Sequence, residues 1–372
     1  MKKVIILTAS TGAGHNAAAK SLEEKYKESG YETFIVDIFR ETSKPLNTIV
    51  TDGYKILANS FPAFYGTLYD AADTYTFSNK ILKTTLMVLK RRLLKIINQV
   101  EPDIIIGTHP FAVGLISSFK RKKLTDALFI SVVTDFKAHY AYINENVDAY
   151  ITGSEYTKET LINRNIDKNK IFNYGIPIKE EFLCKSENHD SVINKFRVLV
   201  MGGSMGSKDI AKVVENLAID SDKFRITVIC GNNNSLKNAL EKKYEDEIIL
   251  NKLKVYGFTS EVSYLMDNSD VIVTKPGGLT SSEALAKELP MIIPFAIPGQ
   301  ETENTEFLVN AGVAIHVKNM NKIRENLDEL IDNKTKYINM KKSMKSISSS
   351  YSISNIVNLS DDLIINKNIA LI

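Results

Sequence analysis

The chain has 372 residues, too many for one ordinary core and enough for two domains of usual size. Apolar residues make up 44% and charged residues 24%, with 47 Lys and Arg set against 44 Asp and Glu, which excludes a disordered chain. A net charge of +3 is too small for a dedicated nucleic-acid binder, and Cys184 and Cys230 lack the paired spacing of a zinc or redox site, so a reducing cytosol is expected.

Short β-rich apolar runs alternate with helical stretches almost from end to end, the pattern of parallel sheets covered by helices on both faces. The first half predicts strands over 3–9, 31–38, 103–108, 128–135 and 148–152. The second half predicts them over 197–203, 224–231, 252–258, 270–275, 290–295 and 313–317. Each half reads as an α/β doubly wound unit. Residues 177–196 are polar without a sustained period and mark the linker, which gives domains over 1–180 and 195–345. The closing segment, 346–372, is rich in Ser and Lys at its start; it reads either as a flexible tail or as a helix returning to the first domain. The N-terminus runs straight into a predicted strand, so no signal peptide is expected. No apolar stretch approaches the roughly 18 residues that cross a bilayer.

In a doubly wound sheet, ligands bind at the carboxyl ends of the strands, where helix N-termini aim amides at anions. Three glycine-rich segments fall at such ends. The first, TGAGH, carries Gly14 and then His15 on the first turn of a helix. The helix dipole disfavours an imidazolium there, which makes His15 a candidate general base; a tight turn with a surface histidine is the plainer alternative. The second, GGSMGS, presents amides and hydroxyls around Gly203, Ser204, Met205 and Gly206 that suit a diphosphate. The third, KPGGLTSSE, combines Lys275, Gly277, Gly278, Thr280 and Glu283, the carboxylate being an acceptor for vicinal hydroxyls such as those of a ribose. Thr280 and Glu283 also read as a capping box. Beyond the next strand, Gln300 and Glu301 stand at a helix start with groups suited to sugar hydroxyls. The triplet Asp220, Ser221, Asp222 precedes a strand, the wrong end for ligands, and reads as a solvated turn.

The ordered set STGAGHNAAAKSL, VVTDFKAHYAYINENVDAYI, VMGGSMGS, TKPGGLTSSEAL and PFAIPGQETEN resembles the glycosyltransferase family of monogalactosyldiacylglycerol synthases and processive diacylglycerol glucosyltransferases, over roughly residues 3–317. More distantly it is similar to the peptidoglycan N-acetylglucosaminyltransferase that makes lipid II. The resemblance implies a GT-B architecture of two Rossmann-like domains facing across a cleft, in which an inverting hexosyl transfer runs from UDP-glucose or UDP-galactose to diacylglycerol without a metal or other cofactor. It places the base on His15, the diphosphate contact on the Gly203–Gly206 loop, the ribose contact on Glu283, the donor-sugar contacts on Gln300 and Glu301, and the uracil contact on Phe258. On the acceptor side it marks Gly14, Asp135, His139 and Tyr142, with Tyr142 standing where relatives often carry Trp. The nearest rivals are transfer to another lipid, such as a polyprenyl diphosphate sugar, and a noncatalytic nucleotide-sugar sensor.

A diacylglycerol acceptor implies docking on the cytoplasmic face of a membrane. Leu82, Leu86, Leu89, Leu93 and Ile96 recur at helical spacing, with Lys80, Lys83, Lys90, Arg91, Arg92 and Lys95 beside them, so the helix suits an anionic lipid surface. An ordinary core-facing helix has the same pattern. Phe61, Phe64, Tyr65, Tyr69 and the run Lys120–Lys123 favour the membrane.

Overall fold

A computed structural model describes residues 1–9, 13–38, 40, 80–184, 195–203, 209–217 and 222–369. Ser204, Met205 and Gly206, the aromatic cluster Phe61–Tyr69, and Asp220 and Ser221 lie outside the described residues, as do the side chains of Lys80, Leu82, Lys83 and Leu86. The chain divides into two compact units, residues 1–179 with 297–300 and 350–372, and residues 180–296 with 301–349.

The first unit runs β1 (Lys3–Thr8), α1 (Ala13–Glu28), β2 (Glu32–Asp37), α2 (Lys80–Val100), β3 (Ile104–Gly107), α3 (Pro110–Arg121), β4 (Leu128–Val132), β5 (Ala149–Ile151), α4 (Glu155–Ile162) and β6 (Ile171–Phe172). The strands are parallel in the order β2-β1-β3-β4-β5-β6. Val4 through Leu7 and Ile104 through Ile106 are fully buried, because a parallel sheet covered on both faces takes continuous apolar runs. Leu89, Leu93 and Ile97 of α2 pack with α3 on one face, while Ala19, Leu22 and Tyr26 of α1 pack on the other. Each such fully buried Leu or Ile contributes about 1.5–3 kcal/mol. Gly30, at φ +82°, ends α1, and the Tyr31 amide bonds back to the Tyr26 carbonyl at 3.0 Å.

The second unit begins with α5 (Glu180–Leu183) and β7 (Phe196–Met201), then α6 (Asp209–Leu217), β8 (Phe224–Ile229), α7 (Asn234–Lys243), α8 (Glu245–Ile249), β9 (Leu253–Tyr256), α9 (Val262–Asp267) and β10 (Val271–Thr274). It continues with α10 (Gly278–Ala286), β11 (Met291–Ile293), α11 (Gln300–Asn310), β12 (Ala314–His316), α12 (Ile323–Asp332) and α13 (Lys334–Ser348). Its parallel order is β12-β11-β10-β7-β8-β9. Val198, Val200, Ile226, Val228, Val271 and Val273 form the centre of its core, with Ile210, Val213 and Val214 of α6.

The last helix, α14 (Ile353–Ile369), belongs to the first unit. Ile353, Ile356, Val357, Leu359 and Ile364 join the cluster of α1 and the sheet, the Tyr26 hydroxyl meets Ser360, and Asp361 binds Lys2 and Tyr31. The Ser- and Lys-rich run before it is helical rather than a tail, since Met340 and Met344 of α13 are buried. β6, at two residues, is too short to show an alternating pattern and was not among the predicted strands.

Over the described side chains of α2, residues 89–100, the apolar positions turn toward the core. Leu89 and Leu93 are 1% and 3% exposed and belong to the core, leaving Arg91, Arg92 and Lys95 on the outside. Lys120 is paired with Asp148, while Arg121, Lys122 and Lys123 remain exposed.

Candidate active site

The strand order of the first sheet reverses between β1 and β3, and the crevice at such a switch point is where doubly wound folds bind ligands. His15, two residues into α1, and Thr108 and His109, just beyond β3, meet there. Gly107 ends β3 because space requires it: a Cβ would stand 2.7 Å from the Ala112 Cβ. His109 then caps α3, its Nδ1 accepting the Phe111 amide at 3.1 Å, with Pro110 opening the helix.

The His15 Nδ1 lies 2.8 Å from the Thr108 carbonyl oxygen, which can only accept. Nδ1 therefore carries the proton in neutral His15, and Nε2 keeps a lone pair. Thr134, two residues past β4, places its Oγ1 3.1 Å from the same Nδ1 and 2.9 Å from the Tyr142 hydroxyl, and Asp135 follows it in the chain. Burial holds the His15 imidazole below the ordinary histidine value, against the opposing bond to Thr108. The sequence attributes a neutral His15 to the helix dipole; burial is the cause in the structure. His109 lies edge-on to His15 at 4.6 Å and is held well below the ordinary value, by burial first and His15 second.

Tyr142, marked on the acceptor side, is only 1% exposed. Burial and then the Asp135 carboxylate raise its hydroxyl well above the ordinary range, keeping it a neutral hydrogen-bonding group. His139 is nearly buried and caps the turn Tyr140–Tyr142 by accepting the Ala141 amide at 3.1 Å. Gln300, grouped with the first unit, donates its amide to Asp135. Gly14 lies in the first turn of α1, beside His15. Thr108, His109 and Thr134 escaped sequence reasoning, although the THP triplet closing an apolar run signals a capped helix start.

In the second sheet the order reverses between β7 and β10. Gly203, past β7, adopts φ +78°, and a Cβ there would stand 3.4 Å from the Lys275 Cε. Lys275, past β10, pairs with Glu301 at 2.6 Å, and Asn304 donates to the Pro276 carbonyl at 3.1 Å, tying the start of α11 to this loop. The helix after the loop starts at Gly278, with Gly277 as its N-cap and no side-chain cap. This corrects the capping-box reading: Thr280 and Glu283 already lie inside α10, half-buried, because the two glycines let the helix begin earlier. Phe258 is 71% exposed beyond the edge strand β9. A cavity of about 1330 Å³ between α11, β12 and α13 includes none of the residues marked by the sequence.

Two doubly wound units with glycine-bearing loops at their switch points define a GT-B-type fold. The structure superposes on Acinetobacter baumannii MurG with a TM-score of 0.67 at 13% identity, covering 97% of this chain and 99% of that one. It matches an S. aureus MnaA–UDP structure at 0.60 and 16% identity, covering 100% and 98%, and Anabaena HepE with UDP and glucose at 0.57 and 13%, covering 98% and 99%. Residues 15–178 match the monogalactosyldiacylglycerol (MGDG) synthase family, and residues 197–357 match the glycosyltransferase family 28 C-terminal domain. A processive diacylglycerol beta-glucosyltransferase of Bacillus pumilus (strain SAFR-032) is 32% identical, covering 99% of this chain and 98% of the relative. One of Bacillus subtilis (strain 168) is 32% identical over 93% and 91%. The chain belongs to this monogalactosyldiacylglycerol synthase and diacylglycerol glucosyltransferase family of GT-B glycosyltransferases.

Proposed function

We propose that the chain transfers a hexose from a UDP-sugar to the free hydroxyl of diacylglycerol, inverting the anomeric carbon. The observation that carries this reading is the 2.8 Å approach of the His15 Nδ1 to the Thr108 carbonyl oxygen: with Nδ1–H donated there, Nε2 is the atom that takes the hydroxyl proton. As that proton moves to Nε2, the acceptor oxygen bonds to the anomeric carbon, the bond to the diphosphate oxygen breaks, and its electron pair leaves with UDP. The growing charge falls to the Gly203 loop, the first-turn amides of α10 and the Lys275 ammonium. The diphosphate role extends to Ser204, Met205 and Gly206, which lie outside the described residues; Glu283 accepts from the ribose hydroxyls, Gln300 and Glu301 from the hexose, and Phe258 lies against the uracil. No metal enters this scheme.

The names of the full-length relatives favour glucose over galactose as the first sugar. Among the described residues no helix is long and apolar enough to cross a membrane. Contact with anionic lipid on the cytoplasmic face falls to the exposed Arg91, Arg92, Lys95 and Arg121–Lys123. Product analysis tests the function: purified protein is incubated with diacylglycerol vesicles and UDP-glucose or UDP-galactose, both α-linked donors, and the lipid is characterised by mass and anomeric NMR. A β-hexosyl diacylglycerol is expected; an α-linked product, or none, contradicts the reading.

A further inference from the structure

Phe111 is an apolar ring that folding buries only in part. It occupies the second position of α3, is 43% exposed, and stacks on His109 at 5.5 Å and 16° between planes. His109 in turn lies edge-on to His15 at 4.6 Å. Three rings thus run in sequence from His15 through His109 to Phe111, and the last is both apolar and the most exposed of the three. His109 fixes both ends of this run: its Nδ1 takes the Phe111 amide, which locks the turn that aims Phe111, and its ring supports His15. The other nearby candidate ring, Tyr140, is 53% exposed but already lies beneath the Arg164 guanidinium at 3.8 Å. A half-exposed phenyl two ring spacings from a proton acceptor suits an alcohol whose hydroxyl is polar and whose adjoining carbons are not.

We propose that Phe111 is an acceptor-positioning residue, its exposed ring forming the wall against which the glycerol backbone and first acyl carbons lie while the free hydroxyl reaches Nε2 of His15. This rests on the reading of His15 as base. The ring contributes apolar contact with the acceptor and none with the nucleotide sugar.

The test uses full-length protein with monomeric dihexanoylglycerol, which separates acceptor binding from docking on a membrane, and UDP-glucose as donor. Phe111→Ala should raise KM for dihexanoylglycerol about tenfold, equivalent to about 1.4 kcal/mol, while KM for UDP-glucose and the pH profile stay unchanged. Phe111→Leu, which keeps apolar bulk and guards against a folding effect, should recover most of the loss. An acceptor KM within twofold of the parent in both variants overturns the proposal. So does a fall in kcat with a displaced acid limb, which would mean that Phe111 acts through His109 on the base. His15→Ala assayed alongside separates the two readings: retained turnover there removes the base, while a raised acceptor KM in Phe111→Ala leaves the wall standing.

Discussion

At the scale of single residues, the state of His15 depends on what its two nitrogens face. The Thr108 carbonyl fixes the proton on Nδ1, and burial lowers the affinity of the ring for a second proton. As the proposed base, His15 is competent only when unprotonated, so activity is expected above its folded-state value and lost as pH falls through it. The acid limb of kcat/KM should therefore lie below the ordinary histidine value of 6.5. An acid limb above that value would contradict the assignment. Thr134→Val removes the hydroxyl between His15 and Tyr142 while keeping its shape; we expect about 1–2 kcal/mol lower stability in urea unfolding and a lower kcat at unchanged donor KM. His15 itself is legible in the sequence because glycine flanks it at a strand end. Its partners are not, since Thr108 and Thr134 stand 93 and 119 positions away and each reads locally as an ordinary strand end.

Among the elements, two junctions hold loops that no regular ladder fixes. Lys287, directly after α10, has no side-chain exposure and donates to Asp267 at 2.7 Å and to the carbonyls of Glu181 and Cys184 at 2.8 and 2.6 Å, anchoring α5 to its unit. Lys287→Ala leaves a buried carboxylate and two carbonyls behind and should cost about 3–5 kcal/mol, read as a lowered urea midpoint; a change under about 1 kcal/mol would show the site rehydrates freely. The second junction is Gly175, at φ +86°, whose Cβ would stand 2.6 Å from the Tyr351 ring as the chain enters α14. Gly175→Ala should destabilise by about 1–3 kcal/mol through both backbone strain and crowding, read as a lowered melting temperature, and an unchanged melting point would refute that packing. The long strands are legible from continuous apolar runs. The fate of residues 346–369 is not, because their spacing is compatible with a tail until Ile356, Val357 and Tyr26 are brought together.

Across the whole molecule, the composition shows two units and no strong charge bias, but not which cations are left outside. The pattern of α2 is the same for a core helix and a surface-seeking one; burial of Leu89, Leu93 and Ile97 decides for the core over its described side chains, 89–100. If the remaining cations meet anionic lipid, replacing Arg91, Arg92 and Lys95 together with Glu should weaken sedimentation with phosphatidylglycerol vesicles. Added salt should weaken the parent in the same direction, and equal binding in both would place the contact elsewhere. Fold by itself does not choose among chemistries, since the structural neighbours include MurG and UDP-bound proteins of low identity. The choice rests on the family and on one imidazole. The most direct test is therefore His15→Ala, with glycolipid formation and UDP binding measured on the same preparation. Turnover should fall by about 10²–10⁴ while UDP binds as in the parent; turnover retained within a few-fold would contradict His15 as the base.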